Sequence, residues 1–264
     1  TLFRILATLL TPDTGSISLF GMDVIQDYRQ IRRILGYMPG RFSLYQDLSV
    51  EENLRFFASL FGTTLEENYE RVAPIYRQIE PFRNRLAGDL SGGMKQKLAL
   101  SCALIHKPRL LLLDEPPTGV DAVSRKEFWE MLHRLKEDGL PIVVSTPYMD
   151  EARLCDRIAL IQQGEILQID TPGRLAASGS RSLLGIRSRN RYRLIQALRT
   201  YPYVLSAHPF GEWIHYADRR ERVDAEDLRT WLGREGVEEV EIRPIQPTIE
   251  DRFMELMQTG GPHE

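Results

Sequence analysis

A run of aliphatic side chains that ends in two acids constrains this chain more than any other feature. Four consecutive leucines, Leu110 to Leu113, are followed directly by Asp114, Glu115 and Pro116. A short run of this kind predicts a strand that is buried on both faces, as in a parallel sheet. The two acids then lie at the carboxyl end of the strand, where open α/β sheets bind ligands. The sequence therefore predicts an α/β fold with a ligand site at this edge.

The two acids favour a metal-dependent reaction on a phosphate compound. Carboxylates at such a position are costly without a cation, and in nucleotidases the first acid helps to hold Mg²⁺ while the second orients the attacking water. On this interpretation Asp114 helps to hold Mg²⁺, and Glu115 orients the attacking water or accepts a proton from it. The alternative is a strand that ends in a solvated acidic turn, and the acid pair alone does not decide between the two.

A glycine pair before a predicted helix supplies a second candidate site. Ser91, Gly92 and Gly93 immediately precede a helical segment that starts near Met94. A serine hydroxyl, two residues without side chains and the unpaired amides at the positive end of the helix dipole together form an anion site. The alternative is a flexible loop capped by Ser91, which a lone Ser-Gly-Gly would favour.

Predicted strands and helices alternate along the first two thirds of the chain, which is typical of an α/β layer fold. Ser49 and Glu52 form a capping-box pattern that predicts a helix reaching Phe61. The predicted strands are 17–20, 35–38, 110–113, 142–145 and 158–161, and the other predicted helices start at Leu2 and cover 65–79, 123–135 and 150–154.

The composition changes near residue 178. Residues 171–182 are small and polar, and beyond Lys136 the basic residues other than histidine are all arginine. From residue 183 the pattern predicts a split βαββαβ unit with its last strand at 237–242, followed by a closing helix at 249–257. We therefore expect one domain over residues 1–177 and a small ferredoxin-like α+β domain over residues 178–264.

Composition disfavours several other classes of protein. The net charge is −3 and 27% of the residues are charged, which speaks against a nucleic-acid binder. Cys102 and Cys155 stand too far apart for a zinc site of the usual close spacing or for a disulfide framework, so we expect a reducing compartment. No apolar run approaches the roughly 18 residues that a membrane-spanning helix needs.

Residues 90–129, LSGGMKQKLALSCALIHKPRLLLLDEPPTGVDAVSRKEFW, resemble the signature motif, the Walker B strand and the D-loop of an ABC ATPase. The resemblance extends from Thr1 to about residue 177. It implies an ABC-type P-loop nucleotidase fold, with a mostly parallel sheet and a helical subdomain at about 41–90. It also implies ATP and Mg²⁺ as cofactors, and a pair of such domains that sandwich two ATP molecules.

The resemblance implies a role for each matching residue. Ser91, Gly92 and Gly93 would contact the γ-phosphate in the partner's site, Asp114 would hold Mg²⁺ through water, Glu115 would be the catalytic base and Asp121 the D-loop acid. Thr1 would correspond to the last threonine of the Walker A motif GK[ST]T, so the phosphate-binding glycines and lysine would lie upstream. We therefore expect residues 1–264 to bind ATP poorly by themselves.

Two positions depart from the family pattern. Gly40 stands where the family has its Q-loop glutamine, and Pro147 stands where it has its switch histidine; Gln46 is too far along the chain to be an obvious substitute. Neither residue offers a polar side-chain group, and proline also lacks a backbone N–H. Losing one stabilising donor costs roughly 10²- to 10³-fold in rate, so we expect weak hydrolysis at this site. The alternative is a substitution that still permits turnover by another route.

Two further segments resemble exporters. FSLYQDLSVEENLRFFASLFG is similar to the helical region of ABC-2 type exporters, which seats a coupling helix of the membrane subunit, and IQPTIEDRFMELM is similar to the C-terminal extension of daunorubicin-resistance-like exporter ATPases. Phe42 and Tyr45 are the predicted docking residues, whereas at least two of Phe56, Phe57 and Phe61 are expected in the helix core.

The resulting hypothesis is an ATP-binding subunit of a multidrug-type ABC exporter. Its expected partners are ABC-2 type membrane permease subunits and a second ABC ATPase subunit, without nucleic acid, and its expected location is the cytoplasmic face of a bacterial-type cell membrane. One alternative is a regulatory half of an ATPase pair that does not hydrolyse ATP. A soluble ABC protein that acts on ribosomes or nucleic acid is a less favoured alternative, because the charge is near neutral.

Overall fold

A computed structural model of the chain describes residues 1–41, 43–116, 120–178, 182–220 and 223–259. These residues form two compact units, which divide between Pro147 and Tyr148. Within the described part of the chain, no helix is both long enough and apolar enough to cross a bilayer.

The first unit contains six helices and five strands among its described residues. In chain order they are α1 (Leu2–Leu6), β1 (Ser18–Leu19), β2 (Met22–Asp23), α2 (Tyr28–Ile34), β3 (Leu35–Met38), α3 (Val50–Leu60), α4 (Leu65–Tyr76), α5 (Gly92–Leu104), β4 (Leu110–Asp114), α6 (Ala122–Glu137) and β5 (Ile142–Ser145). Two short 3-10 segments, Glu80–Phe82 and Ala87–Asp89, connect α4 to α5.

The four leucines form the central strand of a parallel sheet with the order β3-β4-β5. Leu111, Leu112 and Leu113 are completely buried, as the aliphatic run predicts. Leu111 and Leu113 pack into the core formed with α3 to α6, whereas Leu110 and Leu112 pack on the side of α1. Because both faces of β4 are covered, its polar end is the place where the strand reaches solvent.

Helix boundaries follow the local signals in most cases. The capping box of Ser49 and Glu52 forms at the start of α3, and a second box of Thr64 and Glu67 starts α4. The first helix starts at Leu2, as predicted, and ends at Leu6, because Thr8 adopts a left-handed backbone with φ 58°. The helix predicted over 65–79 forms but ends earlier, at Tyr76.

The second unit begins with a small helical and hairpin region. Its elements are α7 (Met149–Ala152), β6 (Ile158–Gln162), β7 (Glu165–Asp170) and α8 (Pro172–Ala177). The predicted strand at 158–161 forms, but it pairs antiparallel with β7 instead of continuing the parallel sheet. The sequence prediction missed β7 and α8.

A ferredoxin-like region, called here the ferredoxin-like unit, forms the rest of the second unit. Its elements are β8 (Leu183–Arg187), α9 (Arg191–Thr200), β9 (Val204–Phe210), β10 (Trp213–Asp218), α10 (Ala225–Arg234) and β11 (Glu241–Ile245), and the final helix is α11 (Ile249–Thr259). The four strands form an antiparallel sheet with the order β11-β8-β10-β9, as the split βαββαβ pattern predicts. The last strand was expected at 237–242, but Glu239 adopts a left-handed backbone with φ 51° and the strand begins at Glu241.

The final helix belongs to both parts of the second unit. Ile249 is buried with Ile158, Leu160 and Leu175, so α11 packs on α8 and on the β6–β7 hairpin. Because α11 packs on residues 148–177, these residues belong to the second compact unit, which begins at Tyr148. The predicted division of function between residues 1–177 and 178–264 stays a prediction.

Candidate active site

The two acids predicted from the sequence lie at the carboxyl end of β4. Asp114 is the last residue of the strand and is half-buried, whereas Glu115 is exposed in the turn that follows. Asp114 is the register partner of Ser145 on β5, so the two side chains extend from the same face of the sheet. The Ser145 hydroxyl donates a hydrogen bond of 2.5 Å to Oδ1 of Asp114.

The backbone of Glu115 is held in an uncommon conformation. Its φ is +50°, in the left-handed region that residues with a side chain rarely adopt. The Glu115 N–H donates to the Ser145 carbonyl oxygen at 3.0 Å and to the Ser145 hydroxyl oxygen at 3.1 Å. Such a conformation costs roughly 1–3 kcal/mol and persists where surrounding bonds enforce it, as often occurs at functional sites.

The acids share their side of the sheet with α1. Tyr37 on β3 faces the same way as Asp114, and burial together with the Asp114 charge raises the pKa of the Tyr37 phenol, while Arg4 of α1 lowers it. Thr1 is the N-cap residue of α1, and its side chain forms no capping hydrogen bond. The structure therefore places α1, Tyr37 and Asp114 on one side of the parallel sheet.

Gly40 lies directly against the acids, and Pro147 follows the strand that holds them. A Cβ atom built on Gly40 would be 2.9 Å from the Asp114 carbonyl oxygen and 3.6 Å from the Glu115 Cβ. Pro147 is exposed two residues beyond Ser145. Neither position presents a polar side chain to Asp114 or Glu115.

The predicted glycine pair begins a long helix. Ser91 is the N-cap residue of α5, and its hydroxyl accepts a hydrogen bond of 3.4 Å from the Met94 N–H. Ser91 and Gly92 are exposed, so the amides at the start of this helix of 13 residues face solvent. The local geometry fits an anion site.

Gly93 packs against the first turn of α6. A Cβ atom at Gly93 would be 2.6 Å from the Ser124 hydroxyl oxygen and 2.9 Å from the Ser124 Cβ. Asp121 caps α6 by accepting hydrogen bonds of 3.0 Å from the N–H groups of Val123 and Ser124. Hydrogen bonds from Ser124 lower the pKa of the Asp121 carboxyl. The glycine pair and Asp121, which the sequence assigns to one site, are thus joined through Ser124.

Sequence reasoning missed two residues that connect these parts. Ser145 is one, since its role depends on the register of β4 and β5. The other is Gln96 of α5, which is 7% exposed and whose side-chain amide donates a hydrogen bond to the Pro116 carbonyl oxygen. Within the described residues, the side-chain oxygen of Gln96 has no hydrogen-bond partner. The sequence offered one signal for Gln96: it lies four positions before the buried Leu100 on α5, and therefore on the same face of the helix.

The metal prediction fits a single protein ligand. Among the described residues, no group of three or more His, Cys, Asp or Glu side chains is placed to hold a metal ion. Mg²⁺ typically binds through one or two carboxylates together with water and substrate phosphates. Asp114, with Oδ1 bound to Ser145 and Oδ2 left for a metal-bound water, meets that requirement.

A cleft of about 380 Å³ lies beside Gly40 and Gln96, and aromatic side chains form part of its wall. The His106 ring stacks on Phe61 with 3.7 Å between centroids, and burial lowers the pKa of His106. Phe57 packs against the core, whereas Phe61 is 37% exposed.

The predictions for the aromatic residues have mixed outcomes. Phe56 is half-buried and packs edge-on against Tyr45, so only Phe57 of the three phenylalanines joins the core and the expectation of at least two is wrong. Tyr45 is 51% exposed, as a docking residue requires. Phe42 lies outside the described residues.

The chain is similar to ATP-binding proteins of transporters. The ABC transporter family matches residues 1–118. The "Probable multidrug ABC transporter ATP-binding protein YbhF" of Escherichia coli (strain K12) is 38% identical over 268 aligned residues, which cover 100% of this chain and 46% of that protein. The "Nod factor export ATP-binding protein I" of Rhizobium sp. (strain N33) is 34% identical over 261 aligned residues, which cover 97% of this chain and 83% of that protein. The chain thus spans less than half the length of the Escherichia coli relative.

Solved structures show the same similarity. The "Structure of ATP binding subunit of ABC transporter" has a TM-score of 0.60 and 28% identity, with 67% of this chain and 75% of that chain covered. A dimeric ATP-binding cassette in a post-hydrolysis state, bound to ADP and Pi, has a TM-score of 0.58 and 25% identity, with coverages of 64% and 78%.

Proposed function

This chain belongs to the ABC transporter family of ATP-binding proteins, and from that premise we propose that it is the ATP-binding subunit of an exporter. In this role ATP binding and hydrolysis in a nucleotide-sandwich dimer drive substrate export through membrane subunits. One observation carries the proposal: Asp114 at the end of the buried parallel strand β4 and Glu115 directly after it are both hydrogen-bonded to Ser145, with the Asp114 side chain on the α1 side of the sheet.

Each part of the site has a task in this mechanism. Asp114 would help to hold Mg²⁺ through its carboxylate, and the exposed Glu115 would orient the attacking water and accept its proton. Mg²⁺, when bound, neutralises charge on the phosphate oxygens. Ser91, Gly92 and Gly93 present a hydroxyl and helix amides to the γ-phosphate in the partner's site, Asp121 fixes the start of α6 beside them, and Thr1 lies at the nucleotide side of α1.

Gly40 and Pro147 weaken hydrolysis at this site. A Cβ at position 40 would lie 2.9 Å from the Asp114 carbonyl oxygen, so the backbone at this point fits glycine and not glutamine. Without either polar group we expect a rate lower by roughly 10²- to 10³-fold than in a complete site. The intact glycine pair at the start of α5 favours a second candidate function, a regulatory half that completes the site of a competent partner ATPase.

The membrane partners are ABC-2 type permease subunits in this proposal. Two relatives bear names of multidrug and Nod factor export proteins, which supports an exporter without identifying its substrate. The cleft beside Gly40, together with the exposed side chains of Tyr45, Leu60 and Phe61, offers an apolar seat for a segment of the permease. The subunit then lies peripherally on the cytoplasmic face of the membrane.

The two parts of the chain have different tasks in this proposal. Residues 1–177 form the ATPase domain, and residues 178–264 form an accessory domain that stabilises or regulates the ATPase dimer. The support is the separate apolar core of the ferredoxin-like unit, which includes Ile186, Leu194, Ile214 and Leu228.

The deciding experiment measures steady-state MgATP hydrolysis by the full-length native protein assembled with its membrane partners. Glu115→Gln is compared with the equivalent glutamate variant of the partner ATPase. Loss of turnover with Glu115→Gln supports hydrolysis at this site despite Gly40 and Pro147. Loss with the partner's variant alone supports the regulatory half. Absence of MgATP binding, or co-sedimentation with ribosomes in place of membranes, contradicts the exporter.

A further inference from the structure

Ser145 is the one described side chain that contacts both acids at the end of β4. Its hydroxyl hydrogen points to Oδ1 of Asp114 over 2.5 Å, and its hydroxyl oxygen accepts the Glu115 N–H over 3.1 Å. One hydroxyl thus acts as a donor to Asp114 and as an acceptor from Glu115 at the same time.

The bond to Asp114 selects one carboxylate oxygen. A hydrogen bond to Oδ1 fixes the rotation of the carboxylate and leaves Oδ2 for the water of a bound cation. Groups that orient a metal-binding carboxylate affect metal affinity although they never touch the metal. Removing the hydroxyl would leave the Asp114 side chain free to rotate about its terminal torsion.

The bond to Glu115 acts on its backbone. The left-handed conformation of Glu115 is held by two bonds from its N–H, one to the Ser145 carbonyl oxygen and one to the Ser145 hydroxyl oxygen. Loss of the hydroxyl removes one of the two bonds and keeps the other. The Glu115 side chain would therefore keep its approximate place while its orientation becomes less defined.

We propose that Ser145 is the positioning residue for both acids, setting the Mg²⁺-facing oxygen of Asp114 and the direction of the Glu115 carboxylate. The inference rests on the proposed function, because it concerns the same nucleotide site. It assigns to β5 a direct polar link to the acids in a chain where Gly40 and Pro147 supply none.

The test uses a pair of variants that differ only in the hydroxyl. Ser145→Thr keeps a hydroxyl beside Asp114, whereas Ser145→Val has the same shape without it. A matched control is Ser101→Ala on α5, where a buried serine hydroxyl donates to the Lys97 carbonyl oxygen of its own helix at 2.8 Å. All are made in the full-length native protein and assembled with its membrane partners.

Two readouts separate positioning from general damage. The first is the Mg²⁺ concentration for half-maximal hydrolysis, with the KM for ATP and kcat. The second is Mn²⁺ binding in the presence of ATP, followed by electron paramagnetic resonance, which requires no turnover. For Ser145→Val we expect metal affinity and kcat to fall by about 10- to 100-fold with little change in the KM for ATP. Ser145→Thr and Ser101→Ala should stay within a few-fold of the wild type.

Several outcomes would overturn the inference. Equal metal affinities for Ser145→Thr and Ser145→Val would show that the hydroxyl does not position the acids, while turnover by the wild type would leave the proposed function intact. A loss of equal size in Ser101→Ala would indicate general damage and would also reject a positioning role. If the wild type does not bind ATP with Mn²⁺, both the inference and the proposed function are wrong.

Discussion

The Asp114 carbonyl oxygen lies against Gly40: a Cβ atom at position 40, which any other residue would have, would be 2.9 Å from this oxygen. Real Cβ atoms do not approach a backbone oxygen so closely without a shift of the chain. The loop after β3 and the end of β4 are therefore matched to glycine, and a glutamine at position 40 would be a structural change as well as a chemical one.

We expect Gly40→Gln to destabilise the first unit and to leave hydrolysis slow. The forced shift at Asp114 should cost about 1–3 kcal/mol, as other overpacking substitutions do. Urea unfolding and MgATP turnover of the full-length protein measure the two effects. Gly173→Ala is the control, because a Cβ at Gly173 meets no atom within 4 Å. Faster hydrolysis with unchanged stability would show that the missing glutamine alone limits this site.

A second prediction concerns the contact between Gly93 and Ser124. Gly93→Ala should lower stability by about 1–3 kcal/mol, because its new methyl group would meet the Ser124 side chain at 2.6–2.9 Å. Ser124→Gly removes the obstacle at a cost of roughly 0.5–1 kcal/mol for glycine in a helix. In a double-mutant cycle measured by urea unfolding, the double variant should therefore be more stable than the sum of the single effects.

The cycle has a defined control and a defined failure. Ser124→Ala removes the hydroxyl but keeps the Cβ, which lies 2.9 Å from the added methyl group, so we expect it to relieve only part of the clash. If the effects of Gly93→Ala and Ser124→Gly simply add, the two residues are energetically independent. In that case the glycine at position 93 would be explained by ligand approach and not by packing on α6.

Local patterns predicted the elements whose causes are local. The four leucines give β4, and the Ser49–Glu52 capping box starts α3, because each depends on residues within one turn or one strand. The end of α1 does not have a local cause. Arg32, 24 residues further along the chain, donates to the Thr8 hydroxyl and carbonyl oxygens at 2.7 and 2.8 Å where the backbone turns left-handed. No window of sequence around Thr8 contains that contact.

The candidate site divides in the same way. Asp114 and Glu115 follow from the buried strand, and the helix start at Ser91 follows from its cap and glycines. The links among them depend on register and on packing between elements. Ser145 meets Asp114 because β4 and β5 pair in one register, and Gln96 meets Pro116 because α5 packs close to the end of β4. A shift by one residue in either place would remove the bond while the sequence stayed the same.

The capping boxes of α3 and α4 predict a particular response to acid. Hydrogen bonds to Ser49 lower the pKa of Glu52, and those to Thr63 and Thr64 lower the pKa of Glu67. A carboxyl whose pKa is lower in the folded state stabilises the fold above its unfolded pKa of about 4.5, and that contribution is lost as the pH falls through the folded value. The first unit should therefore lose stability below about pH 4.5.

Glutamine variants isolate this effect. Glu52→Gln and Glu67→Gln retain an acceptor for the cap but do not titrate, so the double variant should lose less stability than the wild type as the pH falls from 7 to well below about 4.5. The measurement is the urea midpoint at each pH. Glu70→Gln is the control, since Glu70 lies on α4 outside the capping box and forms an exposed pair with Arg77 at 3.8 Å. An unchanged pH dependence in the double variant would mean that other carboxyls dominate acid unfolding.

The last prediction concerns Asp251, which links α11 to the ferredoxin-like sheet through a hydrogen bond. One carboxylate oxygen is 2.7 Å from Nδ1 of His215 on β10, and the other accepts from the N–H and hydroxyl of Thr248 at 2.7 Å each. Both side chains are about nine-tenths buried, at 10% and 11% exposure. Asp251→Ala should weaken the attachment of α11 by about 1–3 kcal/mol, because it leaves His215 buried without its partner.

Loosening of α11 should be local before it is global, because Ile249 anchors the same helix in a separate apolar cluster with Leu160 and Leu175. Hydrogen exchange of the α11 amides should therefore accelerate in Asp251→Ala while exchange in the β8–β10 strands stays slow. Glu250→Ala, one residue earlier and exposed, is the control and should leave exchange in α11 near the wild-type rate. Equal acceleration of exchange in α11 and in the sheet would mean that the His215–Asp251 pair stabilises the whole unit. In that case α11 would not unfold separately from the sheet.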